Sequence, residues 1–359
     1  MREQDYYGRG YDYEDEPRRS RGGSTRRKPK KSRKRGNRGE RAAVTLLSLL
    51  FLVVAAAAVV KYVVRAPEPA ADDDAQSAQT AQEGTDGDAI ETVSNGKARK
   101  KYCYTILLSG IDNDAGGSDT NMLMRFDAEN DRIDVVSLPR DSLMSNGHKL
   151  NYAYNNGGTE QLRSEIEDLL GIPVDFYVSV NLQGFIDLVN QIGGVDFEVP
   201  CDMDYDDPYQ DLHIHFKAGL QHLDGQQAME VVRFRHNNDN SGYGGRQDIG
   251  RIETQQAFLK TVAQKLMKVE NVPAMAETFL KYVKTDLTLG NLVWLGNEAL
   301  GMGGMSAVTF ATLPGDGTGW YKGASVYALD PEQVLEMTNS MLNPYAADIT
   351  ADEQNVLVP

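Results

Sequence analysis

The chain is poor in cysteine, histidine and tryptophan: its 359 residues hold two, five and two of them. Two cysteines, Cys103 and Cys201, cannot build a disulfide framework or a four-cysteine zinc site. Neither lies in a motif that marks a reactive thiolate, so a cysteine nucleophile is not expected. One bridge between them remains chemically allowed in an oxidising compartment. The sequence also lacks a Walker A loop, a Gly-x-Ser-x-Gly elbow and a Cys/His catalytic pattern. Those absences argue against P-loop nucleotide chemistry and the common nucleophile-elbow hydrolases. No internal repeat is present.

Long apolar runs are missing too, save one. "AAVTLLSLLFLVVAAAAVV", Ala42 to Val60, carries no charge, and Lys61 is followed by the apolar trio Tyr62 to Val64. About 20 apolar residues span the hydrocarbon core as a helix. Residues 42–64 are therefore expected to form a single transmembrane helix. A cleaved signal peptide would have a shorter apolar core and a much shorter basic leader. The net charge of -15 conceals a split: residues 1–41 hold 15 Lys+Arg against 7 Asp+Glu, and the remainder holds 22 against 45. The basic leader, 1–41, reads as a disordered cytoplasmic tail under the positive-inside rule. Its place beside the membrane span favours anionic headgroups over nucleic acid as its contact, and no nucleic-acid partner is expected. Residues 65–101, rich in Ala, Asp, Gln and Gly, read as a disordered extracellular stalk.

From Tyr102 the texture becomes that of a folded domain, expected over 102–359. "YCYTILLSGID" reads as a buried strand, and "NMLMRFDAENDRIDVVSL" as two strands around a turn. "TEQLRSEIEDLLGI" has a helical period with Gly171 as its stop, and "LQGFIDLVNQI" and "DIGRIETQQAFLKTVAQKLM" are further helices. "AVTFATLPG" is a late strand. Strands alternating with helices, plus one clear hairpin, predict an α/β fold with a mixed central sheet flanked by helices on both faces.

Arginine is distributed unevenly. Ten follow the apolar run, and four of these, Arg233, Arg235, Arg246 and Arg251, fall in one stretch, "VVRFRHNNDNSGYGGRQDIGR". If "VVRFR" is extended, Arg233 and Arg235 share a face while Val232 and Phe234 turn to the core. Arg251 falls in the first turn of a helix that Asp248 would cap. A lone cation is misplaced there, because the helix dipole is already positive. A phosphate is well placed there. Arg140 joins the set in "VVSLPRDSLM", where Pro139 stops a strand and Arg140-Asp141 sit at its tip. Two carboxylates, Asp112 and Asp119, close the gap between the first two strands; alone they are ordinary turn residues. Beside phosphate-binding arginines they point to a hard divalent cation, Mg²⁺. His213 and His215 alternate on a predicted strand in "LHIH" and suit Zn²⁺, but the sequence offers no evident third ligand. "CDMDYDDPYQD" is acid-dense, lacks the spacing of a calcium loop and reads as a solvated loop.

The ordered series "LLSGID…SDTNMLM…VVSLPRD…KLNYAY…VNLQGFIDLVNQIGGVDFEVP…GLQHLDGQQAMEVVRFR…GRQDIGRIETQQ", within 102–267, resembles the LytR–CpsA–Psr family. The resemblance implies a phosphotransferase of the cell envelope. Such an enzyme moves a glycopolymer, of teichoic acid or capsular polysaccharide type, from a polyprenyl-pyrophosphate carrier to a hydroxyl of peptidoglycan N-acetylmuramic acid. It implies that Asp112 and Asp119 are metal-associated, and that Arg140, Arg233, Arg235, Arg246 and Arg251 grip the pyrophosphate. Asp141 would orient Arg140, Asp119 and Arg140 would act in catalysis, and Lys149 and Asn151 would lie near the site. Thr254 departs from the arginine that many relatives carry before the Gln pair. A hydrolase using the same site, and a non-catalytic membrane-anchored binding or regulatory protein, are the alternative readings.

Overall fold

The computed structural model describes residues 64–69, 93–94, 97–111, 117–209, 212–266 and 272–359. The expected tail (1–41) and nearly all of the expected membrane helix (42–64) lie outside them. Among the described residues no helix is long and apolar enough to cross a membrane.

β1 (Cys103–Ile111), β2 (Ser118–Asp127) and β3 (Arg132–Leu138) form an antiparallel meander. Then come α1 (Leu150–Leu170), β4 (Phe176–Asn181), α2 (Leu182–Gln191) and β5 (Val195–Val199). A hairpin of β6 (Met203–Asp207) and β7 (Leu212–Phe216) leads to β8 (Gly219–Leu223), α3 (Gly225–Arg233) and α4 (Gln247–Leu266). The chain closes with α5 (Val272–Phe279), β9 (Lys284–Thr285), α6 (Leu289–Gly301), β10 (Val308–Thr312), the hairpin β11 (Gly315–Tyr321) and β12 (Ala324–Leu329), and α7 (Pro331–Met337).

The central sheet has the order β9-β4-β1-β2-β3-β10. β4 runs parallel to β1 and β10 parallel to β3, so the sheet is mixed, as expected from the sequence. Its strands alternate between two apolar layers. Leu107, Leu123 and Val136 pack with Leu162, Ile166 and Leu169 of α1 and Val334 of α7. Ile106, Met122 and Val135 face the other way, toward Leu292, Trp294 and Leu295 of α6. Helices thus cover both faces. A third core, around Phe197, Ile214, Phe234 and Phe258, joins α3 and α4 to β5 through β8. The late strand β10 forms one edge of the central sheet and β9 the other, so the sequence beyond α5 completes that sheet.

Several sequence expectations need correction. "VVRFR" is not a strand. Val231 to Arg233 end α3, and Phe234 follows at φ −59, ψ 134. Arg233 and Arg235 therefore share no strand face. A capping box between Asp224 and Gln227 starts this helix, and Ala228, Val231 and the C-cap residue Phe234 are fully buried. The acidic stretch expected as a loop contains strand β6. Asp119 lies within β2 rather than ahead of it. Cys103 and Cys201 are both free, and burial, then the charge of Asp127, pushes the Cys103 thiol up to about 12. Arg99, expected in the stalk, is buried in an ion pair with Asp175, so ordered packing begins ahead of Tyr102.

One buried ion pair ties the sheet to the C-terminal segment. Asp134 is fully buried and accepts from Arg125 Nη2 at 2.6 Å, while the same nitrogen donates to the Ser340 carbonyl at 3.2 Å. Arg132 Nε adds a bond to Asp134 at 2.9 Å. Asp134→Ala leaves the Arg125 charge buried without its counter-ion. It is expected to destabilise the domain by about 3–5 kcal/mol, read as a lower denaturation midpoint at an unchanged slope.

Candidate functional site

The site starts at the tip of β3. Pro139 ends the strand, and the chain reverses with the Ser142 N–H donating to the Pro139 carbonyl at 2.9 Å. Asn151 N–H donates to the Arg140 carbonyl at 2.9 Å and Tyr327 N–H to the Asp141 carbonyl at 2.8 Å, which fixes the backbone of both residues. Asp119 reaches the same place from β2, because the antiparallel register sets Asn121 opposite Leu138. Arg140 Nη1 donates to Asp119 Oδ1 at 2.5 Å. Asp141 receives Lys149 Nζ at 3.0 Å and lies 3.8 Å from Arg140 Nε, so it balances charge beside Arg140.

The second half comes from the start of α4. That helix begins at Gln247, so Asp248 lies in its first turn rather than at its cap. Its carboxylate serves the arginines instead. Arg235 Nη2 donates to Asp248 Oδ2 at 2.6 Å, and Arg251 Nη2 lies 3.0 Å from Asp248 Oδ1. Arg251 is only 6% exposed. Burial pushes its pKa down; Asp248 and Asp119 oppose the shift, while Arg235 and Arg140 add to it. Burial also pushes the Asp248 carboxyl up. Arg251, Arg235 and Arg140 outweigh burial and hold it below the usual carboxylate range. These couplings place Arg140, Arg235, Arg251, Asp119 and Asp248 in one electrostatic cluster.

The cluster has unused donors. The Nε atoms of Arg140, Arg235 and Arg251 are all buried and, among the described residues, lack a hydrogen-bond partner. Buried donors are nearly always paired. Three unpaired guanidinium donors beside a helix N-terminus call for an acceptor-rich anion. The other predicted arginines stand differently. Arg246 donates to Glu253 at 2.5 Å, and both side chains are more than half exposed. Arg233 ends α3, with Nη1 3.9 Å from Met229 Sδ, and its charge acts with that of Arg235 on Tyr205. Of the proposed metal acids, Asp112 lies outside the described residues. Asp119 gives one oxygen, Oδ1, to Arg140.

Supporting residues have roles that the sequence did not assign. Thr254 is buried; its hydroxyl meets the Tyr243 hydroxyl at 2.9 Å and donates to the Gly250 carbonyl at 2.9 Å. A Cβ on Gly250 would sit 2.2 Å from Tyr243 Cγ, so only glycine lets the tyrosine pack on the first turn of α4. Thr254 thus anchors the loop that carries Arg246, a use that an arginine there could not serve in the same space. Gln256 donates to Ser137 Oγ, the Ala311 carbonyl and Thr312 Oγ1, and Gln255 donates to the Val232 carbonyl. The glutamine pair therefore pins α4 to β3, β10 and α3. Local pattern gave no sign of Asp248's role, because an acid at a helix start reads first as a cap.

Asp248→Asn removes the counter-charge between two guanidinium groups. It is expected to lower the melting temperature at pH 7 by a few degrees. Because the folded-state pKa of Asp248 is depressed, its contribution is present above the ordinary carboxylate pKa and lost as pH falls through the folded value. The gap between wild type and variant should therefore close below about pH 4. Thermal unfolding across pH checks this.

Comparison with known proteins places this geometry. The LytR_cpsA_psr family model matches residues 68–343. TagV of Bacillus subtilis, a polyisoprenyl-teichoic acid–peptidoglycan teichoic acid transferase, is 31% identical over 206 residues, 53% of this chain and 51% of TagV. A TagU transferase of the same description from Bacillus cereus is 32% identical over 203 residues, 54% of this chain and 63% of the relative. The matches thus span about half of TagV and under two thirds of TagU. The crystal structure of B. subtilis TagV superposes with a TM-score of 0.57 at 26% identity, covering 66% of this chain and 94% of that one. The described fold and the family match agree: the chain belongs to the LytR–CpsA–Psr family.

Proposed function

We propose that this protein is a phosphotransferase that moves a glycopolymer, of teichoic acid or capsular polysaccharide type, from a polyprenyl-pyrophosphate carrier to a muramic acid hydroxyl of peptidoglycan. The observation that carries this reading is the trio of buried, unpartnered Nε donors on Arg140, Arg235 and Arg251. A pyrophosphate diester offers acceptors to all three and two negative charges to offset their repulsion. TagV and TagU, which share the family, are named for this kind of transfer.

Phosphoryl transfer needs positioning and charge neutralisation more than covalent help from the protein. The acceptor hydroxyl oxygen attacks the glycan-side phosphorus. The bond from that phosphorus to the bridging oxygen breaks, and polyprenyl phosphate leaves with the electron pair. Arg251 and Arg235, fixed by Asp248, hold the pyrophosphate oxygens. Arg140 sits between them and Asp119, and Asp141 with Lys149 keeps it there. The acceptor proton passes to a carboxylate, for which Asp119 is our assignment. Asp119 with Asp112 would also hold Mg²⁺, which supplies positive charge to phosphate oxygens when bound. Arg233 and Arg246, which the resemblance also assigns to the pyrophosphate, take lesser parts, Arg246 because it is exposed and paired with Glu253. The polyprenyl chain would need an apolar lining, for which the partly buried Phe185 of α2 and Leu259 and Val262 of α4 are our candidates. A membrane-anchored, outward-facing domain would meet this lipid substrate at high effective concentration.

The test uses the full chain in detergent with a polyprenyl-pyrophosphate oligosaccharide, peptidoglycan oligomers and Mg²⁺, with products read by mass spectrometry. Arg140→Ala and Arg251→Ala are each expected to reduce formation of the sugar–phosphate–muramic acid adduct by about 10²–10³-fold. Arg246→Ala should cost less, since its guanidinium is exposed and already paired. Unchanged transfer in both first variants would overturn the assignment. Sugar phosphate released without an adduct would mark a hydrolase.

A further inference from the structure

The β6–β7 hairpin carries a second cluster, separate from the arginines. Side chains at 204 and 206 of β6 and at 213 and 215 of β7 point to solvent, while Met203, Leu212 and Ile214 between them are buried. The antiparallel register sets Asp206 directly opposite His213 and Asp204 directly opposite His215. Four side chains with metal-binding chemistry thus share one face of a two-stranded ribbon. Ligand atoms of Asp206, His213 and His215 all lie within 4.8 Å of one another, the one such group among the described residues.

We propose that Asp206, His213 and His215 form a Zn²⁺ site, with Asp204 orienting His215. Two imidazole nitrogens and a carboxylate oxygen suit Zn²⁺ and related borderline metals better than Mg²⁺ or Ca²⁺. Donors about 2.0–2.2 Å from a tetrahedral zinc stand about 3.3 Å apart. His215 Nε2 is already 3.3 Å from Asp206 Oδ1. His213 Nδ1 is 2.5 Å from the same carboxylate, so its exposed ring needs to swing outward by under about 1 Å to reach that donor spacing. His215 Nδ1, on the far side of its ring, lies 2.8 Å from Asp204 Oδ1. An Nδ1–H donated to Asp204 leaves Nε2 as the lone-pair nitrogen that faces the metal, the carboxylate–histidine–metal relay of zinc sites. The two remaining features are the exposure of all four side chains, which gives the ion direct access from solvent, and a fixed backbone. Asn237 Oδ1 accepts from Asp204 N–H at 2.7 Å and Asn238 Oδ1 from Asp206 N–H at 2.7 Å. Those asparagines belong to the loop between Arg235 and Arg246. A metal clamping β6 to β7 would therefore stiffen the strand on which the arginine loop rests.

His222 supplies an internal control. It sits on β8 with Nδ1 2.7 Å from Asp196 Oδ1, a His–Asp pair that, among the described residues, belongs to no larger metal-ligating group. Zn²⁺ is titrated by calorimetry into the untagged full chain, stripped with chelator, in detergent, and Co²⁺ spectra report the ligand field. One ion per chain is expected. His213→Ala and His215→Ala should each abolish tight binding, Asp204→Asn should weaken it about 10–100-fold, and His222→Ala should leave it unchanged. Metal-free melting curves, which these exposed substitutions should barely move, verify folding. No binding, or binding that survives His213→Ala and His215→Ala, or equal loss in His222→Ala, would mean that these are surface ion pairs only. The readout is independent of transferase activity, so its failure leaves the arginine site standing.

Discussion

Guanidinium groups placed side by side repel one another, and removing one from water adds to the cost. The described structure meets both problems at Arg251 by placing Asp248 one helical turn earlier on the same helix. That single carboxylate faces two arginines at once, Arg235 at 2.6 Å and Arg251 at 3.0 Å. Asp119 does the matching work for Arg140 across the sheet. Neither acid saturates the cluster, since three Nε donors find no partner among the described residues. The fold thus holds a partly neutralised cationic site.

Everything around the cluster serves to fix where those charges sit. The turn at Pro139 delivers Arg140 at the end of a strand that is buried on both faces. The Gln256 amide spans β3 and β10 and so sets the height of α4 against the sheet. The contact of Tyr243 with Gly250, closed by the hydroxyl of Thr254, folds the preceding loop onto the first helical turn. Preorganised charge of this kind stabilises a transition state without rearrangement at the moment of reaction. It also explains why a threonine at 254 need not weaken anion binding: the position supports the loop rather than the ligand.

Much of the central sheet was legible in the sequence. Strands buried on both sides read as near-continuous apolar runs, and "YCYTILLSG" and "RIDVVSL" are of that kind. The part of α1 from Thr159 onward and α4 were legible from their period and length; the first turns of α1, before the kink at Gly157 and Gly158, were not. The misreading of "VVRFR" has a physical cause: over five residues, an amphipathic helix end and a half-buried strand give the same apolar–polar alternation. The deciding signal lay upstream, in Asp224 and Gln227, whose spacing is that of a capping box. The positions of Arg140 and Arg251 in the site could be anticipated, because each is adjacent to a strong local signal, a strand-ending proline or a helix start. The split between inner and outer arginines could not. Arg246 and Arg251 lie five residues apart, and only packing against Tyr243 and Glu253 decides which of them is buried.

Register is the other thing the sequence withheld. Asp206 and His213 are separated by a turn whose length and geometry no local pattern specifies. A one-residue slip would send every side chain of one strand to the opposite face. From the sequence, His213 and His215 are two ligands without a third. Once β6 pairs with β7, the acidic stretch supplies Asp206 directly across from His213, and Asp204 across from His215. The same contrast separates the two halves of the molecule's chemistry. The arginine site depends on helix starts and strand ends, which local sequence encodes. The hairpin cluster depends on pairing across a turn, which only the assembled fold reveals. Both converge on the loop from His236 to Gly245. One end of that loop carries Arg235 and the other leads into Arg246, while its asparagines are bonded to β6. That loop therefore links the hairpin to Arg235 and Arg246 by both covalent and hydrogen bonds.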